Sequence, residues 1–263
     1  MTHAFRAEWI KLRRPSVLLG AAGSMVVVAV IATIVLFKSA GRVPVVSGEG
    51  TRLSLGQLAG PVGLSRGFAE AMTFIGLIVL SLFAISVAGE FTQGTIRPLL
   101  LVEPRRLRLI TGKVAALLSF VAVALVVATA SSMIAAAIGA GARGVSMSQW
   151  TTISAMRMLV SSWSTAFLGV ALWGLIGAAL GLVLRSTALA LGVALAWLLP
   201  LEHILSDGWT GANHWFPGLL LEGFSRGGDG IVPWVQAGLA VGAYAIVLTV
   251  AGVSMFVYRD VTA

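Results

Sequence analysis

A chain of 263 residues that is 58% hydrophobic and only 11% charged, with mean hydropathy +0.97, carries too little polar surface for a water-soluble domain. Its net charge of +8 resides in basic residues flanking apolar stretches, a placement that orients a protein at an anionic membrane face, so no nucleic-acid partner is expected. The absence of cysteine excludes disulfides and thiolate metal sites.

In chain order, Phe5, Trp9 and Leu12 fall at i, i+4 and i+7, with Arg6, Lys11, Arg13 and Arg14 around them. That spacing predicts an amphipathic helix over 2–14 lying in the membrane interface on its apolar face. A first span follows at 16–37, about twice the length of a signal-peptide core and so read as uncleaved. A Gly-rich connection, 38–67, leads to a second span at 68–89, with Glu70 spaced to pair with Arg66 four residues earlier. A charged connection occupies 90–113, and a third span is expected from 114 to 138. After a polar loop at 140–157 comes a fourth span, 158–184, holding Gly177 and Gly181 in a G-x-x-x-G with Gly169 and Gly174 before them; such residues let helices approach closely. Ser161, Ser162, Ser164 and Thr165 are placed either to hydrogen-bond between helices or to line a polar path. A fifth span from Thr187 is cut by Pro200 and soon meets Glu202. Residues 202–232 mix His203, Asp207, Trp209, His214 and Glu222 with apolar pieces too short to cross, predicting short re-entrant or surface helices packed on protein. The sixth span covers 235–258.

The expected fold is therefore a single all-α membrane domain over 1–263 with six spans and both termini on one side. Eleven basic residues on that side (among them Arg6, Arg13, Arg97, Arg105, Arg108, Lys113, Arg185 and Arg259) oppose seven on the other (Lys38, Arg42, Arg52, Arg66, Arg143, Arg157 and Arg226). The excess places both termini in the cytoplasm of a cell whose inner (plasma) membrane the chain crosses repeatedly.

Nothing in the sequence supplies chemistry of its own. "TGKV" at 111–114 lacks the first glycine and the hydroxyl residue of a phosphate loop, and "LSLGQ" at 53–57 is a chance likeness to the "LSGGQ" of ABC ATPases. No H-E-x-x-H or G-x-S-x-G occurs, and His203, His214, Asp207 and Asp229 lack a metal-ligand spacing. No enzyme, no metal site and no cofactor is expected on this chain.

The charged connection holds the most information. Gly94-Thr95 is expected to break the second span, with Thr95 as N-cap of a short helix. "LLLV" at 99–102 gives that helix an apolar side, and Glu103-Pro104 ends it before Arg105, Arg106 and Arg108. Topogenic anchoring requires only the basic residues, and leaves Glu90 and the Gly-Thr break unexplained. Glu90, Gly94-Thr95, Arg97, the leucines, Pro104-Arg105 and Gly112-Lys113 resemble the loop after the second span of permease subunits of type-2 ABC exporters. The likeness extends to the N-terminal helix, the six spans and the broken fifth span. Pro98 and the additional Arg106 depart from the commonest pattern.

The resemblance implies a coupling helix that docks on a separate ATPase. Two ATPase copies, carrying ATP and Mg, would drive two permease chains, a homodimer or a heterodimer with a sister chain. On that reading Arg97 and Glu103 are expected near the two ends of the docking helix, facing the ATPase, while Leu99 and Leu100 fill its cleft. An ion-coupled secondary transporter is the first alternative, disfavoured because the spans lack evident buried charges. A membrane anchor or sensor that recruits a cytoplasmic partner is the second. Apolar spans favour an amphipathic drug, lipid or peptide as cargo.

Overall fold

The computed structural model describes residues 2–41, 54–209, 211–228 and 230–258. Arg42, Arg52, Asp229, Arg259 and the 42–53 part of the 38–67 connection lie outside the described residues. Among the described residues every regular element is helical. The chain opens with α1 (Thr2–Leu12), then α2 (Pro15–Val17) and α3 (Ser24–Ser39), joined by a π turn at Leu18–Gly23. After α4 (Leu55–Ala59) and α5 (Gly63–Glu70) come α6 (Met72–Thr92), α7 (Ile96–Val102), α8 (Arg106–Ala142) and α9 (Ile153–Leu184). The last third holds α10 (Thr187–Ala196), a π turn at Trp197–Leu201, α11 (Glu202–Gly208), a 3₁₀ turn at Ala212–His214, α12 (Pro217–Ser225) and α13 (Trp234–Tyr258).

Among the described residues five helical segments are long and apolar enough to cross a bilayer: Pro15–Ser39, Met72–Thr92, Arg106–Ala142, Ile153–Leu184 and Trp234–Tyr258. This makes the chain an all-helical membrane protein. The expected fifth span falls short of that standard because α10 is only 10 residues. Pro200 does not stop the helix; it sits in the π turn that carries the backbone from α10 into α11. Widening the turn there removes the clash between a proline ring and the carbonyl of the preceding turn. α8 has 37 residues and runs about 55 Å, well beyond a hydrocarbon core of about 30 Å. Its first two turns contain the stretch 106–113 that the sequence pattern assigns to a loop, so Lys113 is a helical residue.

α6 is the central helix, packed most extensively on α9, while α8 carries α3 and α1, and α13 covers the far side of α9. Large apolar side chains on the outer faces, such as Val27, Ile31 and Val35 of α3 and Leu239, Ile246 and Val250 of α13, are exposed. A soluble monomer rarely shows so much apolar surface, whereas lipid tails cover it without cost. With lipid as apolar as the side chains, the helices hold together by close packing and buried hydroxyl bonds. One such bond joins Thr33 of α3 to Ser132 of α8 at 2.7 Å.

The α6–α9 seam is built on the expected glycines. A Cβ at Gly177 would overlap the Leu80 carbonyl, and one at Gly174 would lie 2.9 Å from the Phe83 ring. At the end of the bundle away from α1, Trp150 donates its indole N–H to the Leu58 carbonyl at 3.0 Å and packs edge-on against Phe37. The "LSLGQ" likeness resolves there into a capping box: Gln57 N–H bonds Ser54 Oγ and Ser54 N–H bonds Gln57 Oε1.

Gly177→Ala forces the α6 backbone away and should cost about 1–3 kcal/mol, read as a lower Tm of the purified protein. Gly192→Ala adds a methyl into open space and should leave Tm unchanged or raised. Equal melting of the two variants would refute the close-packed seam.

Candidate functional site

The expected apolar face of α1 contains a charge. Phe5, Glu8, Trp9 and Leu12 share one side of the helix, and Glu8 is only 5% exposed. That side packs on α8, with Phe5 and Trp9 stacked at 5.8 Å against the main core and Leu12 buried in it. The face thus rests on protein, and Ile10 and Arg13 point outward. The same intrusion occurs twice more. Lys113 continues the buried stripe of Leu109, Ile110, Ala116 and Leu117 on α8, and Glu90 that of Phe83 and Val87 on α6.

These three groups meet. Lys113 Nζ lies 2.7 Å from Glu8 Oε2, 3.0 Å from Glu90 Oε1 and 3.0 Å from the Ser86 carbonyl, so its three protons are all engaged. Ser86 Oγ donates to the second oxygen of Glu8 at 2.5 Å. Lys11 completes the cluster from α1, donating to Glu90 Oε1 at 2.6 Å. Burial lowers the Lys11 pKa, but the hydrogen bond it donates to Glu90 and the charge of Glu8 outweigh it and hold the ammonium above its ordinary range. Two carboxylates and two ammoniums form a neutral quartet that ties α1, α6 and α8 together.

The quartet reaches the charged connection through Glu90 Oε2, which accepts from Thr95 Oγ1. Thr95 therefore does not cap α7; its backbone is helical and its hydroxyl turns back to α6. Gly94 supplies the break, with φ +68, a left-handed conformation that favours glycine at a helix C-terminus. α7 then runs along the end of the bundle. Ile96 is buried, and Leu99 and Leu100, the leucines expected to fill a partner's cleft, are half-buried and pack against the core. Leu101 and Val102 are instead the outward pair, 85% and 77% exposed. Arg97, Pro104 and Arg105 are exposed around them, and Glu103, half-buried, closes the helix.

Arg106 ties this end to α13. It donates to the Phe256 carbonyl at 2.6 Å and lies over the Phe256 ring. Arg185 lies over the ring of Phe91, which meets Phe256 edge-on, and donates to the Met255 carbonyl at 3.4 Å. Basic residues near a helix C-terminus satisfy its last carbonyls, and that use was hidden behind their topogenic role. The expectation of spans free of buried charge does not hold either: Glu90, Lys113 and Glu202 are all buried. Glu202 is fully buried and accepts from the Leu219 N–H at 3.0 Å, capping α12. Among the described residues no three His, Cys, Asp or Glu side chains converge as a metal site.

Glu8, Ser86 and Lys113 were not singled out by sequence reasoning as site residues. The signal for Glu8 was available, as a carboxylate at i+3 of an i, i+4, i+7 apolar face. Lys113→Met leaves two buried carboxylates facing each other and should destabilise the protein by about 3–5 kcal/mol in thermal or chemical melts. Adding Glu8→Gln and Glu90→Gln should recover part of that loss. If Lys113→Met melts with the wild type, the quartet does not brace the bundle.

The comparisons identify a family without a described function. A family model described as "Protein of unknown function (DUF2705)" matches residues 22–258, from within the first long helix to the end of α13. No curated protein and no solved structure matches the chain. The chain belongs to the DUF2705 family.

Proposed function

We propose that this chain is the membrane-spanning permease subunit of an ATP-driven exporter, working as a dimer and driven by a separate ATPase that docks on α7. The observation that carries the reading is the construction of α7. One side is fixed to the bundle by Ile96, Leu99, Leu100 and the Thr95–Glu90 contact, while Leu101 and Val102 stand exposed amid Arg97 and Arg105. An apolar pair rimmed by charge on a rigid support suits a protein-docking element, with the pair as anchor and the charges as rim. The rigid support matters because force applied to α7 passes through the quartet into α1, α6 and α8 together.

The helical run from Thr187 to Gly208 is about 30 Å long and serves in this reading as a sixth crossing. Six crossings return the C-terminus to the side of α1 and α7, and the basic excess makes that side cytoplasmic. ATP and Mg belong to the ATPase, two copies of which act on a pair of permease chains. The outer apolar faces favour an amphipathic cargo.

A second reading, a proton-coupled transporter, is favoured by the fully buried Glu202. The two separate in sealed vesicles, where export of cargo follows either ATP with the ATPase present or a pH gradient alone. Transport driven by the gradient without ATP would overturn the exporter reading.

In the permease reading, Leu101→Asp should abolish ATPase assembly and hydrolysis in the purified complex while Tm stays near wild type. Leu100→Ala should instead lower Tm, because its side chain packs inward. Full ATPase assembly by Leu101→Asp would show that α7 is not the docking element. For topology, Pro104→Cys should react with an impermeant thiol reagent only in opened cells, and Gly228→Cys in intact ones. Labelling of Pro104→Cys from outside would reverse the orientation.

A further inference from the structure

At the end of the bundle away from α1 and α7, the structure holds a cavity of about 450 Å³ between α5, α9 and the C-terminus of α12. Its lining is polar in an otherwise apolar protein, with Arg66 and Arg226, Ser65 and Ser225, and Ser162 and Thr165 of α9. Ser162 meets Ser65 at 3.4 Å across the cavity wall, so the α9 hydroxyls serve both uses the sequence left open. Each guanidinium spends one edge on the protein. Arg66 Nη2 pairs with Glu70 at 2.7 Å; Arg226 Nη2 donates to Thr73 Oγ1 at 2.8 Å and lies 3.5 Å from Glu222. The other edges remain unanswered. Among the described residues, Nε of Arg66, Nε of Arg226 and Oγ of Ser225 are buried with no hydrogen-bond partner, and Ser225 is only 2% exposed.

A buried N–H without an acceptor is costly, and native structures rarely tolerate one, let alone two around one cavity. Among the described residues, the carboxylates paired with these arginines, Glu70 and Glu222, already lie on their Nη2 edges. What the cavity lacks is an acceptor-rich group with negative charge. Two arginines with neighbouring hydroxyls supply the kind of donors a tetrahedral oxyanion takes, several charge-assisted hydrogen bonds at once. The volume also falls in the range of small-ligand sites. We propose that this cavity is a binding site for a phosphate-type oxyanion, either a free anion or the headgroup of a lipid. The proposal does not depend on the transport reading. A neighbouring groove lined by Ile153, Met156, Arg157 and Val160 shares Ser161 with the cavity, leaving an apolar path for a lipid tail.

The test uses the full chain purified in a phosphate-free maltoside detergent. Inorganic phosphate is titrated against potassium chloride at equal ionic strength, with Tm and ³¹P line width as readouts. Phosphatidylglycerol is titrated in parallel against diacylglycerol, which has the tails without the phosphate. A saturable response to inorganic phosphate identifies a free-anion site, and a response to phosphatidylglycerol alone identifies a lipid-headgroup site. In either case Arg66→Gln and Arg226→Gln should each weaken the response about tenfold or more. Ser225→Ala should weaken it less, and Arg13→Gln, at the opposite end, should leave it unchanged. Arg66→Lys and Arg226→Lys, which retain charge, should recover part of it and show that the glutamine variants remain folded. No arginine-dependent response to either probe, in variants that elute and melt as folded protein, would overturn the proposal and leave the cavity to water.

Discussion

A buried ammonium is unstable unless carboxylates and hydrogen-bond acceptors surround it, and Lys113 dictates the arrangement of one whole end of this protein. Its three protons require Glu8 from the N-terminal helix and Glu90 and Ser86 from α6. Those demands pull three separate helices to one point. Lys11 then balances the charge, so the cluster is neutral and tolerable at low dielectric. Removing any one member leaves a charge uncompensated, so the cluster braces the three helices against one another.

That rigidity gives the short α7 its meaning. A seven-residue helix has little stability of its own, since so few turns cannot repay nucleation. Here it is held by a hydroxyl on Glu90 at one end and by leucines packed into the core along its length. The residues left over, Leu101 and Val102, are outward because the inward side is already filled. The opposite end of the bundle follows a different logic. There the glycine seam of α9 brings α6 close, α12 is capped by the buried Glu202, and two arginines are drawn around a polar cavity. One end is closed by mutual charge compensation, and the other retains donors that no described residue answers.

The apolar lengths, the helical class, the Gly94 break, the short helix after it and the close-packing role of Gly177 were all legible in the amino-acid sequence. Each rests on a local rule: a bilayer's thickness, a glycine's freedom at positive φ, the absence of a Cβ. The Arg66–Glu70 pair was legible for the same reason, being four residues apart on one helix. The extent of the fifth span was not, because whether a proline stops a helix or is absorbed by a π turn depends on what packs around it.

The partners of the charged residues were decided only by the tertiary structure. Glu8, Glu90 and Lys113 come from three helices, and their sequence separations of 105 and 23 residues leave no trace in any local pattern. Likewise, whether Leu99 and Leu100 or Leu101 and Val102 face outward is a matter of a 100° rotation per residue about a short helix, set by which side the core accepts. Composition and periodicity determined that this chain is a helical membrane protein with a charged connection between two long apolar helices. Which charges neutralise one another, and which remain to meet a partner or a ligand, was settled by packing, because a buried ion's stability depends on groups that only the fold brings within 3 Å.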